Sequence, residues 1–182
     1  MQHLKIFFQL TRLDKPIGFM LLFWPCSWGL AYAYSINQNF NLFIYYLILF
    51  FLGSVLMRSA GCIFNDIVDK DFDKKVKRTK KRLIASNKVN KKEIITYSVI
   101  NLSIGSIPLY FMPIYSIFIS FCVIPLILIY PFMKRYTNLP QVVLGIAFSW
   151  GILMAFTAQT ETVPAAAILL FIANTLSNLP GA

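Results

Sequence analysis

Six apolar runs of near-bilayer length, joined by short polar connectors, leave this chain few ways to fold. They run from about Ile17 to Ser35, Leu42 to Phe64, Ile94 to Met112, Ile114 to Tyr130 and Val142 to Ala158. A sixth begins near Val163 and fades between Asn174 and Asn178. A helix needs ~20 apolar residues to cross the ~30 Å hydrocarbon core. Backbone in lipid must also satisfy its own hydrogen bonds. The reading is therefore an all-α fold, a multi-pass transmembrane helical bundle with about six spans, forming a single integral membrane domain over residues 1–182. With 58% of the residues hydrophobic, an ordinary soluble domain is excluded.

The charges settle the orientation. The net charge is +10, which on a soluble chain would suggest nucleic acid. Here the basic residues sit between apolar spans, so the expected partner is the lipid bilayer and no nucleic acid is expected. The N-terminal stretch, the loop after the second span and the Lys134–Arg135 loop all fall on one side. They hold every Lys and Arg except Arg58, which lies near the same side. The opposite connectors, Ile36-Asn37-Gln38-Asn39 and Gln159-Thr160-Glu161-Thr162, carry none. Basic connectors mark the cytoplasmic face, and a bacterial inner membrane fits. Residues 1–16 alternate Leu4, Phe7, Phe8 and Leu10 with Lys5, Arg12 and Lys15, as an amphipathic interfacial helix would. A signal peptide cleaved after Ala31-Tyr32-Ala33 fits less well, because the polar lead is long and the apolar run contains Pro25 and aromatics.

Chemistry concentrates in Asn65-Asp66-Ile67-Val68-Asp69-Lys70-Asp71-Phe72-Asp73, which holds four of the chain's seven acidic residues. At about 100° per residue, Asn65, Asp69 and Asp73 share a stripe, Asp66 lies beside it and Asp71 points away. Carboxylates at i and i+4 repel. A divalent cation reverses the sign, and Mg²⁺ takes one or two carboxylates together with phosphate oxygens. Asn65, Asp66, Asp69 and Asp73 are the candidate metal ligands, and a phosphorylated substrate is implied. Calcium in an EF-hand is excluded: the loop from Asp69 would need Gly and Glu where Lys74 and Lys80 stand. The bland alternative is a solvated acidic helix end beside lysines.

Arg58 lies seven residues before Asn65 and so falls near the same stripe. A charge inside a span usually faces a polar cavity; snorkelling to the interface is the plainer reading. The run Lys74-Lys75-Val76-Lys77-Arg78-Thr79-Lys80-Lys81-Arg82, with Lys88, Lys91 and Lys92, is a positive-inside anchor that also attracts anionic groups. Cys26, Cys62 and Cys122 lie in apolar runs without metal spacing and read as buried packing residues. Pro108 and Pro125 are expected to kink the third and fourth spans. His3 is assigned no role.

An acidic N-D-x-x-D-x-x-x-D run leaving the second span, followed by a basic loop, resembles the UbiA family of membrane prenyltransferases. Thr11-Arg12-Leu13-Asp14-Lys15-Pro16-Ile17-Gly18, Met57 to Phe64, Lys77-Arg78-Thr79 and the stretch from Tyr130 to Gln141 agree with it. The likeness covers the chain to about residue 174 and is nearest to members that act on 4-hydroxybenzoate in ubiquinone biosynthesis. It implies a bundle of about nine spans, of which this chain carries six, the N-terminal two-thirds. It implies transfer of a polyprenyl group from an isoprenyl (polyprenyl) diphosphate to 4-hydroxybenzoate, with Mg²⁺ as cofactor. Asp66, Asp69 and Asp73 would serve catalysis, and Arg58, Arg78, Lys134 and Arg135 would contact diphosphate or substrate carboxylate. The family's second acidic motif should follow the sixth span, where Thr175 to Ala182 carry no acid. A truncated or shifted reading frame, without prenyl transfer by this chain alone, is the resulting expectation. Lys81-Arg82-Leu83-Ile84-Ala85-Ser86-Asn87 also departs from the family's usual Asn-Arg-Pro-Leu before Ala-Ser-Gly. Two rival readings are a non-catalytic membrane fragment and a transporter with an acidic cation site, though these acids lie at a span end and not at the midplane.

Overall fold

The computed structural model describes residues 2–136 and 140–178, excluding the side chains of residues 2, 134–136 and 140. Among the described residues the regular structure is helical: α1 (Gln2–Thr11), α2 (Ile17–Asn37), α3 (Phe40–Val68), α4 (Lys70–Asp73), α5 (Lys91–Tyr110), α6 (Ile114–Cys122), α7 (Ile124–Tyr136), α8 (Pro140–Thr160) and α9 (Ala165–Ser177). The chain is an all-α transmembrane bundle. Four segments are each long and apolar enough to cross a membrane: α2, α3, α6 with α7, and α8. The expected third span, α5, begins with Lys91, Lys92 and Glu93 and carries Asn101 and several serines. The sixth, α9, has 13 residues.

α2 and α3 are joined by Gln38 and Asn39. Gln38 closes α2 in the left-handed region at φ 53°, and the Asn39 side chain accepts from the Leu42 N–H at 3.1 Å to open α3, an N-cap. α3 has 29 residues, about 43 Å at 1.5 Å per residue. That exceeds the ~30 Å hydrocarbon core, so its acidic last turns reach beyond the apolar layer.

The centre of the bundle is the seam between α2 and α8. A Cβ on Gly29 would stand 2.5 Å from the Ile152 carbonyl oxygen and 3.0 Å from its Cα. One on Gly151 would stand 2.5 Å from Cys26 Sγ. The two backbones touch because both positions lack a side chain, the usual device where lipid supplies no hydrophobic drive between helices. Leu30, Ile152 and Ala155 are fully buried along this seam. Polar groups fasten the outer helices to it. Ser116 Oγ donates to the Met154 carbonyl at 2.8 Å, Trp150 Nε1 to that of Ile119 at 2.9 Å and Asn174 Nδ2 to Ser149 Oγ at 2.7 Å. On the far side α5 packs against α3, where Asn101 Nδ2 donates to the Leu56 carbonyl at 2.9 Å.

The expectation for the cysteines needs correction. Cys26 and Cys62 are buried, but Cys122 is exposed: it ends α6 on the outward face, where Phe118 and Phe121 are exposed too. The fourth span breaks at Val123, between α6 and α7, just before Pro125, in keeping with the expected kink. Pro108, by contrast, stays inside α5 two residues from its end. His3 does have a partner: its Nδ1 lies 2.9 Å from the Tyr97 hydroxyl, tying α1 to α5.

The basic loop is folded back, not splayed. Ile84 and Val89 are buried with Leu10 of α1, Ile63 of α3 and Ile94 of α5. Thr79 Oγ1 donates to the Asp73 carbonyl at 3.1 Å. These contacts fold the loop over the end of α3.

Candidate active site

The acidic run is not one continuous helix. α3 stops at Val68, Asp69 stands at φ −87° and ψ 4°, and α4 is a single turn. The i to i+4 backbone bonds nevertheless continue through the break, from Asp69 N to Asn65 O at 2.9 Å and from Asp73 N to Asp69 O at 2.8 Å. The expected stripe therefore survives with a bend at Asp69.

Burial sorts the four aspartates. Asp66 and Asp73 are 5% and 8% exposed, Asp69 is half-buried and Asp71 is exposed. Asp71 points outward as expected, and Lys74 Nζ donates to it at 3.0 Å. The hydrogen bond and charge of Lys74 hold the Asp71 carboxyl below its ordinary value. Asn65 is half-buried on the turn with Asp66.

Two arginines meet the buried pair. Arg82 Nη1 donates to Asp66 Oδ1 at 3.1 Å and to Asp73 Oδ2 at 2.7 Å. Arg12 Nη2 donates to the same Asp66 Oδ1. One nitrogen of Arg82 thus joins two carboxylates from different turns. Arg12 is the first residue past α1 and sits at φ 54°, a left-handed conformation in which helices usually place Gly. The sequence reading passed over both residues as site members. Arg12 stood in a recognised segment and Arg82 in the basic run, but nothing in their spacing singled them out.

Arg58 and Arg78, two of the expected basic ligands, form no ion pair with this acidic pair among the described residues. The Arg58 guanidinium lies 5.9 Å from the centre of the Phe148 ring, beside Gly18, and its Nε is buried without a hydrogen-bond partner. Arg78 is exposed on the loop. The side chains of Lys134 and Arg135 lie outside the described residues.

Below the acidic turns an apolar cavity of about 150 Å³ opens inside the bundle, lined by Leu22, Phe50, Met57, Leu109, Trp150 and Met154 among others. Met57 is nine residues before Asp66 on α3, about 14 Å along the helix axis. A cation between Asp66 and Asp73 would find two carboxylates. No group of three His, Cys, Asp or Glu side chains able to hold a metal occurs among the described residues. Two carboxylates fit Mg²⁺ that completes its shell with water and phosphate oxygens. They do not fit a closed, all-protein cage.

Comparison with known proteins bears on this arrangement. The sequence pattern of the UbiA prenyltransferase family matches residues 22–180. A 4-hydroxybenzoate octaprenyltransferase of Pseudomonas aeruginosa (strain LESB58) is 49% identical over 173 residues, covering 93% of this chain and 56% of its own length. One from Pseudomonas syringae pv. tomato is 46% identical over 170 residues, with the same coverage. The chain thus spans little more than half the length of these relatives. Among solved structures, one described for digeranylgeranylglyceryl phosphate synthase superposes with a TM-score of 0.73 at 23% identity, covering 98% of this chain and 60% of that one. The apo structure of a UbiA homolog from Aeropyrum pernix K1 gives 0.69 at 22% identity, covering 87% and 59%. Both support the fold.

Proposed function

The chain belongs to the UbiA prenyltransferase family, and from that premise we propose that its acidic turns grip an isoprenyl diphosphate through Mg²⁺ for transfer of the polyprenyl group to 4-hydroxybenzoate. The observation that carries this reading is the convergence of buried Asp66 and Asp73 on one positive nitrogen. It marks a point where two carboxylates on one side of the bundle accept a cation together. Asp66 and Asp73 would hold the metal, with Asn65 and Asp69 on the adjoining turns as the further candidates. Bound there, Mg²⁺ would neutralise the diphosphate leaving group.

The chain's own residues supply the rest. Arg12 and Arg82 add positive charge at the same carboxylates, and preorganised charge of this kind favours departure of an anionic leaving group. Arg58, Arg78, Lys134 and Arg135 are the candidates for the diphosphate and for the acceptor's carboxylate. Arg58 is favoured because its guanidinium sits on the inner side of α3, over an aromatic face. The apolar cavity excludes water from the reacting carbon and offers room for part of a prenyl tail. The distribution of Lys and Arg supports an acidic face turned to the cytoplasm, in a bacterial inner membrane.

The test is binding of radiolabelled isoprenyl diphosphate to the chain in lipid nanodiscs, with and without Mg²⁺. Binding is expected to require the metal and to fall at least about tenfold, or 1.4 kcal/mol, in Asp66→Asn. Metal-independent binding, or an unchanged affinity in the variant, refutes the site. Prenyl transfer to 4-hydroxybenzoate is read separately in the same membranes.

A further inference from the structure

The metal reading leaves Arg82 with two incompatible partners, and this conflict carries a further inference that rests on that reading. Arg82 Nη1 already occupies the point between Asp66 Oδ1 and Asp73 Oδ2. A divalent cation held by Asp66 and Asp73 would compete with the Arg82 guanidinium for that space. We propose that Arg82 is a positioning residue that acts as an internal counter-ion, holding Asp66 and Asp73 together until a divalent cation displaces it, and then turning its charge to the anionic group that the cation brings.

Three features support displacement over permanent ligation. Arg82 is held by its charge on a loop without regular structure, while Ile84 and Val89, two and seven residues on, anchor that loop in the apolar cluster with Leu10 and Ile63. The guanidinium can therefore swing while the loop stays docked. The Arg82 side chain is 27% exposed, against 6% and 11% for the two carboxylates, so it has an open side to move into. Arg12 also touches Asp66, so that carboxylate keeps a positive neighbour when Arg82 leaves. A guanidinium fork matches phosphate geometry, which gives the displaced group a destination once diphosphate arrives.

The experiment measures Mn²⁺ affinity by electron paramagnetic resonance on the whole chain in nanodiscs, first with Mn²⁺ alone and then with inorganic diphosphate. The variants are Arg82→Gln and Lys75→Gln, the second removing an equal charge from an exposed neighbour. With Mn²⁺ alone, Arg82→Gln is expected to bind about tenfold tighter than the unsubstituted chain, and Lys75→Gln about equally. With diphosphate present that advantage is expected to vanish or reverse. Equal or weaker Mn²⁺ binding by Arg82→Gln overturns the inference and leaves the metal site standing. An equal gain in Lys75→Gln overturns it too, since net charge alone then explains the effect. Absence of Mn²⁺ binding in every form overturns the metal reading itself. A readout on the unsubstituted chain guards against misfolding of the variant. Mg²⁺ is expected to speed phenylglyoxal modification of the Arg82 guanidinium, read by mass spectrometry, and unchanged or slower modification counts against displacement.

Discussion

The seam of α2 with α8 and the charged knot at the end of α3 solve opposite problems. At the seam, Gly29 and Gly151 let two backbones meet where a single methyl group would collide. Nothing there is charged, and close contact does the work. At the knot, Asp66 and Asp73 are buried at a cost in solvation that Arg12 and Arg82 offset. The seam is built from two long helices. The knot is assembled from a helix end, a single turn, a loop and the residue after α1. The contrast teaches that rigidity and chemistry are separated in this chain: packing fixes the helices, and short irregular segments bring the charges together.

Gly29→Val should break the seam and give the largest effect. Its side chain would run into the Ile152 backbone, which has no rotamer to yield. Overpacking of a well-packed core costs about 1–3 kcal/mol; here the expectation is the upper end or beyond. The check is size-exclusion profile and thermal melting in detergent, where little monodisperse protein should remain. Gly151→Ala collides with Cys26 Sγ at 2.5 Å while the nearest backbone atoms stay at ordinary contact distance, 3.5 Å or more, and the companion change Cys26→Ala removes that sulfur. The double variant should therefore recover most of the loss, and a failure to recover would mean that the backbones themselves collide there.

Asp66→Asn attacks the other region. It leaves two guanidinium groups facing a neutral amide. Losing one partner of a fully buried pair costs about 3–5 kcal/mol. Both arginines are 27% exposed, so about 2 kcal/mol is expected from melting. Cation binding should be lost while the variant still folds. If binding were lost only because the variant no longer folded, the knot would be a structural element like the seam, and the contrast between the two would be lost.

The two regions were also unequally legible in sequence. Most of the spans were readable because apolar runs of fixed length have one physical outcome in lipid: α2, α3 and α8 bracket the expected first, second and fifth spans, Leu42–Phe64 lying within Phe40–Val68, whereas α5 and α9 fall short of the expected third and sixth. The acidic residues were readable as well, since their spacing survives the break at Asp69. Their partners were not. Arg82 is 16 residues and Arg12 54 residues from Asp66, and the basic run offers many equivalent cations. What selects Arg82 is the burial of Ile84 and Val89 beside Leu10 and Ile63, a tertiary fact without local period. Arg58 illustrates the same point, because a shared helical stripe gives direction along α3 but not what faces it. In the fold it meets Phe148 and Gly18.

Arg12 allows a finer measurement of what the knot costs. Its φ of 54° is unfavourable for a residue with Cβ by about 1–2 kcal/mol. Arg12→Gly removes the strain and the ion pair together, whereas Arg12→Ala removes the pair and keeps the strain. The glycine variant should melt above the alanine variant by about 1 kcal/mol equivalent, with both binding the cation alike. Equal melting of the two would mean that the turn after α1 relaxes once the guanidinium is gone.

The smallest effect is expected at Asp71, which shares the acidic run but not the knot. It is exposed and paired with Lys74 across one turn. Its carboxyl is held below the ordinary value, so any stabilisation from the pair is present above the unfolded carboxylate's pKa and is lost as pH falls through the lowered folded value. Solvent and salt screen so exposed a pair. Asp71→Asn should therefore leave both the melting temperature at neutral pH and the Mn²⁺ affinity unchanged, while Asp66→Asn, five residues earlier in sequence, abolishes the second. A loss of cation binding in Asp71→Asn would show that the metal is gathered by the net charge of the run. Burial and convergence would then no longer distinguish Asp66 and Asp73 from their exposed neighbour.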